Sequence, residues 1–152
     1  MNERLRPQRI KELLGKEIGK SDWLTIDQSR INAFAECTED RQWIHVDPEK
    51  AGKGPLKSTV AHGFLILSLL SYFHQQNPLF RMKFRMAANY GLNRVRFIHP
   101  VRPGNRIRNR AVLKEMTKKG FRRVILRIEN TVEIEGENKP ALVAELLVMI
   151  FL

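Results

Sequence analysis

The strongest constraint on the fold comes from a contrast between two parts of the chain. Residues 63–73 (GFLILSLLSYF) are almost wholly apolar, and three long segments of alternating polarity follow further along. The apolar stretch is far short of the roughly 20 residues needed to cross a bilayer. With only Ser68 and Ser71 interrupting it, a helix over Phe64 to His74 has no polar face over its first turns and needs protein on every side. The alternating segments are Arg106 to Met116, Phe121 to Ile134 and Ala141 to Phe151, joined by short turn-forming stretches. A period of two places one apolar face on each strand, and short turns make consecutive strands antiparallel. A buried helix needs a surrounding surface and a meander needs something to cover it. The expected fold is therefore α+β, an antiparallel sheet wrapped around a central apolar helix.

At 152 residues with 43% apolar and 28% charged side chains, the chain suits one domain spanning residues 1–152 with a genuine core. Its single cysteine, Cys37, excludes an internal disulfide framework and any Cys-rich zinc site, and no metal is expected. The amino-terminal segment carries charges every few residues and lacks a signal-peptide core, so the expected location is cytoplasmic and no membrane partner is expected.

Further elements follow from local chemistry. Ile10, Leu13 and Leu14 fall on one face of a helix from Pro7, which Gly15 and Gly19 break. Trp23 to Ile26 reads as extended. Asp27 is placed to cap a helix carrying Ile31, Phe34 and Ala35 and ending near Thr38, and Asp47-Pro48 starts a short helix to about Lys53. Residues 54–63 form an irregular loop, and Leu92 to Ile98 is a further strand, with Pro100 to Asn105 supplying turn chemistry.

The net charge of +11 is concentrated. Residues 81–127 hold 15 basic and 1 acidic side chains, whereas residues 128–152 hold 1 and 5. Such a segment suits a polyanionic partner, nucleic acid or a phosphorylated cofactor handle, or else it solubilises the outer face of a sheet. Few aromatic rings are interleaved with the cations, which weakens the nucleic-acid reading.

Four histidines are the candidates for chemistry. His74, at the end of the apolar helix, suits a cationic cap, and His99 sits at a strand end. Asp40 and His45 are five apart in a loop between two short helices, where a carboxylate and an imidazole could grip one water molecule; spacing alone leaves coincidence open. At Ala61-His62-Gly63, the helix start offers unpaired N–H groups and a glycine that admits close approach, or simply a glycine that eases helix entry.

Three motifs in order bring a resemblance: Phe34-Ala35-Glu36-Cys37-Thr38-Glu39-Asp40-Arg41-Gln42-Trp43-Ile44-His45-Val46-Asp47, then Thr59-Val60-Ala61-His62-Gly63-Phe64-Leu65, then Asn89-Tyr90-Gly91-Leu92-Asn93-Arg94-Val95-Arg96-Phe97. Over roughly residues 15 to 150 the chain resembles the MaoC-like dehydratase family, in particular its NodN-like branch. The resemblance implies the hot-dog fold and an (R)-specific enoyl-CoA hydratase, or 3-hydroxyacyl-CoA dehydratase, activity. It implies catalytic roles for Asp40, His45 and the Gly63 amide, and substrate-binding roles for His62, Asn89, Arg94, Arg96 and Arg102. No cofactor is implied beyond the coenzyme A of the substrate, and a homodimer is expected. Gln42 and Trp43 stand where the hydratase motif has Asn-Pro, as in the NodN-like branch. Glu39 stands where many members have Gly, so it is either strained at φ > 0 or an additional carboxylate beside Asp40. Two alternatives remain: a hot-dog protein that binds acyl-CoA without hydrating it or hydrolyses the thioester, and a basic nucleic-acid-binding module.

Overall fold

The computed structural model describes residues 3–152. Its elements in chain order are α1 (Pro7–Glu12), β1 (Glu17–Lys20), β2 (Leu24–Thr25), α2 (Gln28–Thr38), α3 (Trp43–Val46), α4 (Pro48–Lys53), α5 (Gly63–Ser68), α6 (Leu70–Gln75), α7 (Pro78–Arg81), β3 (Met86–Phe97), β4 (Arg106–Lys118), β5 (Arg123–Ile134) and β6 (Leu142–Phe151). The sheet is antiparallel in the order β1-β4-β5-β6-β3, with β2 paired to β4.

Alternation sets the faces of the sheet. On β4, Ile107, Ala111 and Leu113 are buried while Arg106 and Arg110 are exposed. On β5 and β6 every second residue from Val124 to Ile134 and from Leu142 to Ile150 is buried. These side chains close over Leu65, Ile66, Leu69, Leu70 and Phe73 of the helical segment in one core. The outer face is held by cross-strand ion pairs, Arg106 to Glu135, Arg108 to Glu133, Lys114 to Glu129, and Arg127 to both Glu115 and Glu145. The acidic carboxyl-terminal segment thus neutralises the cations of the neighbouring strands.

Both expected caps form. Asp27 accepts from the Arg30 amide and Asp47 from the Lys50 amide, satisfying donors that the first helical turn leaves free.

Three expectations are corrected. The central helix is two helices meeting at Leu69, where the Leu65 carbonyl accepts both from the Leu69 amide at 3.2 Å and from the Ser68 hydroxyl at 2.7 Å. Nor is this segment enclosed on every side, since Phe64 is 69% and Tyr72 44% exposed. His74 is not a cationic cap: it is buried, its Nε2 donates to Asn130 Oδ1 at 2.7 Å, and burial pushes its pKa below the usual imidazole value. The strand expected over Leu92 to Ile98 is β3, which begins earlier, at Met86, and ends at Phe97. It pairs with β6, Phe97 opposite Leu142, and is an edge strand exposed over most of its length. Residues 98–105 cross the end of the sheet, held by Ala61 N–H to the Val101 carbonyl at 2.7 Å and Gly104 N–H to the Ile26 carbonyl at 2.7 Å.

Candidate active site

The site is assembled where α2 ends. Glu39 adopts the left-handed conformation, φ 62° and ψ 10°, which stops the helix and turns the chain. Its carboxylate meets Arg41, which also forms a two-pronged pair with Glu36 at 2.8 and 2.9 Å. Of the two possibilities for Glu39, the strained one is realised, and its charge is turned to Arg41. Asp40 follows, with its side chain 54% exposed.

His45 is not in a loop, as its sequence context suggests, but on the single helical turn α3, closed by the His45 amide on the Gln42 carbonyl and the Asp47 amide on the Trp43 carbonyl. Its ring is 7% exposed and its Nδ1 lies 2.7 Å from the Val60 carbonyl. A carbonyl can only accept, so Nδ1 carries the proton and Nε2 is left with a lone pair. Burial chiefly lowers the pKa of His45, the Val60 bond opposing it and His62 adding to it, so the ring is held neutral.

His62 is 3% exposed and lies face to face with the His45 ring, centroids 3.7 Å apart, with Phe34 tilted against it at 5.0 Å. Its Nε2 donates to the backbone carbonyl of Asp40 at 2.9 Å and lies 3.9 Å from the Asp40 carboxylate. The ring is packed between two others and tied to the Asp40 backbone, which positions the pair, while its Nδ1 is buried without a hydrogen-bond partner. A carboxylate oxygen of Asp40 and one ring nitrogen each of His45 and His62 lie within 4.8 Å of one another. That spacing admits one water molecule between acid and base. It would also admit a cation, since each imidazole commits only one nitrogen to a carbonyl and keeps a lone pair on the other.

Gly63 begins α5, so its N–H has no acceptor within the helix. It directly follows His62, which brings this amide to the Asp40 loop. A Cβ there would lie 2.9 Å from the Phe97 ring, so only glycine fits without displacing that ring. Gly63, His99 and Val101 border a cavity of about 240 Å³.

The remaining expected residues lie on or beyond β3. Arg94 is exposed, Arg96 donates to the Val95 carbonyl, and Arg102 reaches the Leu56 carbonyl at 3.4 Å. They belong to the Phe97 end of the strand, on the side of Gly63. Asn89 is not brought to the Asp40 cluster: its amide donates to Ser71 Oγ at 3.1 Å beside a separate cavity of about 300 Å³ that His74 also borders. Sequence reasoning missed Gln28, on the first turn of α2, which donates to the His45 carbonyl at 2.7 Å and accepts from Thr59. A polar residue just after a cap is ordinary, and no local signal marks its partner 17 residues away.

An antiparallel sheet wrapped around an apolar helix, with an acid and an imidazole at the helix tip, defines the hot-dog class of hydratase-like proteins. The chain belongs to the MaoC-like domain family, whose model matches residues 9–136. It is 48% identical over 139 residues to "Nodulation protein N" of Rhizobium leguminosarum bv. viciae, covering 90% of this chain and 86% of that one. It is 47% identical over 135 residues to "3-hydroxyacyl-thioester dehydratase Z" of Mycobacterium tuberculosis, covering 88% of each. Among solved structures, the monoamine oxidase regulatory protein from Archaeoglobus superposes with a TM-score of 0.78 at 25% identity, covering 90% of this chain and 89% of that one. The (R)-hydratase from A. caviae involved in PHA biosynthesis shares the fold, with a TM-score of 0.71 at 20% identity and coverage of 89% and 94%. Family membership makes the chain a lyase of the dehydratase and hydratase type.

Proposed function

We propose that the chain is an (R)-specific enoyl-CoA hydratase, which in the reverse direction dehydrates 3-hydroxyacyl-CoA. The observation that carries the reading is the neutral imidazole of His45, its Nδ1 held on the Val60 carbonyl, within one water's span of the Asp40 carboxylate. Asp40 and His45 hold a water. As its oxygen adds to C3 of the trans-2-enoyl thioester, the pair takes one proton from it and delivers one to C2, so hydroxyl and hydrogen arrive on the same face. Electron density moves to the thioester oxygen, where the Gly63 amide donates to it. Removing one such donor costs roughly 3 to 4 kcal/mol in barrier. The acyl chain lies along the central helices, against the sheet.

The exposed edge strand β3 and the bare rings of Phe64 and Phe97, edge to face at 5.8 Å, support a homodimer in which a second copy covers this surface. Arg94, Arg96 and Arg102 are assigned to the coenzyme A phosphates, since the planar guanidinium fork suits them. Turnover of CoA thioesters then falls with added salt while a pantetheine thioester is nearly indifferent. Equal salt response of the two removes that assignment.

The test is loss of enoyl absorbance with crotonyl-CoA and longer enoyl-CoA, with chiral analysis of the 3-hydroxy product. Asp40→Asn and His45→Gln each lower kcat by about 10² to 10⁴, the range for loss of a positioned acid or base. Wild-type turnover in either variant, or an (S) product, overturns the assignment.

A further inference from the structure

Where the outer cations lack carboxylates, they gather at one place. The turn between β4 and β5 carries Lys118, Lys119, Arg122 and Arg123 around Phe121, which at 87% exposure is the barest large apolar side chain among the described residues. Among the described residues, none of the four cations is in an ion pair, whereas those along β4 and β5 are matched across the strands. Gly120 and Arg122 both have positive φ, 71° and 54°, so the backbone bends sharply on either side of Phe121 and presents its ring outward. Two open cavities of about 490 and 550 Å³ flank the ring and share Arg122 and Arg123. Arg4 and Arg6 border one and Arg85 the other, all three without an acidic partner among the described residues. Glu3, whose carbonyl accepts from the Lys83 amide, is an acidic residue on this same edge.

This patch is distant from the proposed active site. Arg123 pairs with Phe151, and Met86 also pairs with Phe151, at the end of the sheet opposite Phe97 and Gly63. Twelve residues of strand separate the two, on the order of 35 Å at the usual rise per residue.

We infer that the Lys118–Arg123 turn docks the protein on an anionic lipid surface, Phe121 entering the headgroup layer and the surrounding cations resting on lipid phosphates. An apolar ring projecting from a basic turn suits a soft interface, which it can enter without a preformed pocket. A nucleic acid would need successive exposed rings on which to stack bases, and of the two rings bordering these cavities, Phe121 and Phe151, only Phe121 is exposed. The inference concerns peripheral attachment, not a span, and it stands whether or not the hydratase reading does.

The experiment is co-sedimentation of the full chain with phosphatidylcholine vesicles, with and without phosphatidylglycerol at about one part in three, at low and physiological salt. The protein should partition onto the anionic vesicles only, and less as salt rises. Each surface-adjacent cation contributes about a fivefold factor, so Lys118→Glu/Lys119→Glu should weaken partitioning by twenty-fivefold or more. Phe121→Ser should weaken it by about tenfold through lost apolar contact, with its far-ultraviolet circular dichroism unchanged. Equal binding to neutral and anionic vesicles overturns the inference. So does an unchanged Phe121→Ser variant, or duplex DNA retaining the protein more tightly than anionic vesicles at the same salt.

Discussion

The left-handed turn at Glu39 yields a prediction that runs against ordinary expectation for a glycine substitution. In a helix, replacing a glutamate by glycine is destabilising, but Glu39 ends α2 at φ 62°. An L-residue in this region is disfavoured by about 1 to 2 kcal/mol from the crowding of its Cβ. Glycine removes that penalty and returns about 0.5 to 1 kcal/mol of it through its larger freedom in the unfolded chain. The pair that Glu39 forms with Arg41 is exposed and its loss counts for little, since Arg41 keeps its two bonds to Glu36. The balance for Glu39→Gly is a gain of about 0.5 to 1 kcal/mol, or roughly 1 to 4 °C in Tm for a chain of this length. Glu39→Val puts a branched Cβ into the same backbone and should lose at least as much as glycine gains. Thermal unfolding of the three proteins at one fixed protein concentration gives the comparison. A glycine variant less stable than the parent, with valine no worse than glycine, would refute the left-handed turn and the strain argued from it.

Two further outcomes follow from buried polar groups. His45 and His74 both have pKa values lowered by burial, so folding favours their neutral forms, and each contributes stability that is complete above the unfolded value of about 6.5 and is lost as the pH falls through the folded value. Urea titrations at successively lower pH below that point should lose up to about 1.4 kcal/mol per pH unit for each imidazole, and His74→Gln should remove one share of that slope; an identical slope in the variant contradicts it. Asn130 is fully buried, accepting at Oδ1 from His74 and from Asn109 and donating to the Ile128 carbonyl. Asn130→Leu strands two donors and should cost about 2 to 5 kcal/mol in urea unfolding, while adding His74→Leu should recover part of it; a variant within about 0.5 kcal/mol of the parent means that the network is not formed.

What the sequence makes legible is whatever is decided within a few residues. Asp27 and Asp47 are legible as caps because the amides they bind are three residues away, and the faces of β4 to β6 because a strand has period two. Alternation identifies faces and not neighbours, which is why the pairing of β3 with β6 could not be read. The break at Leu69 and the left-handed backbone at Glu39 are local dihedral changes that no periodicity reports. Asp40 and His45 were found through a motif, whereas the fixing of their geometry was not. Gln28, Val60 and His62 reach them across 15 to 22 residues.

Those distant contacts explain why the pair can work from so exposed a segment. Asp40 lies between a strained residue and an arginine, and its own side chain is half open to solvent, so nothing local holds its carboxylate toward His45. Two independent restraints fix its backbone instead. The Glu36–Arg41 pair fixes the turn from the α2 side, and His62 Nε2 fixes the Asp40 carbonyl from the α5 side, while the same His62 ring stacks on His45. The acid and the base are thereby referenced to one buried imidazole and not to each other. Replacing His62 by Gln, which can keep the carbonyl bond but not the stack, should lower kcat with little change in KM, because it loosens the alignment of the pair without touching the thioester. A KM rise at constant kcat would instead make His62 part of the binding surface.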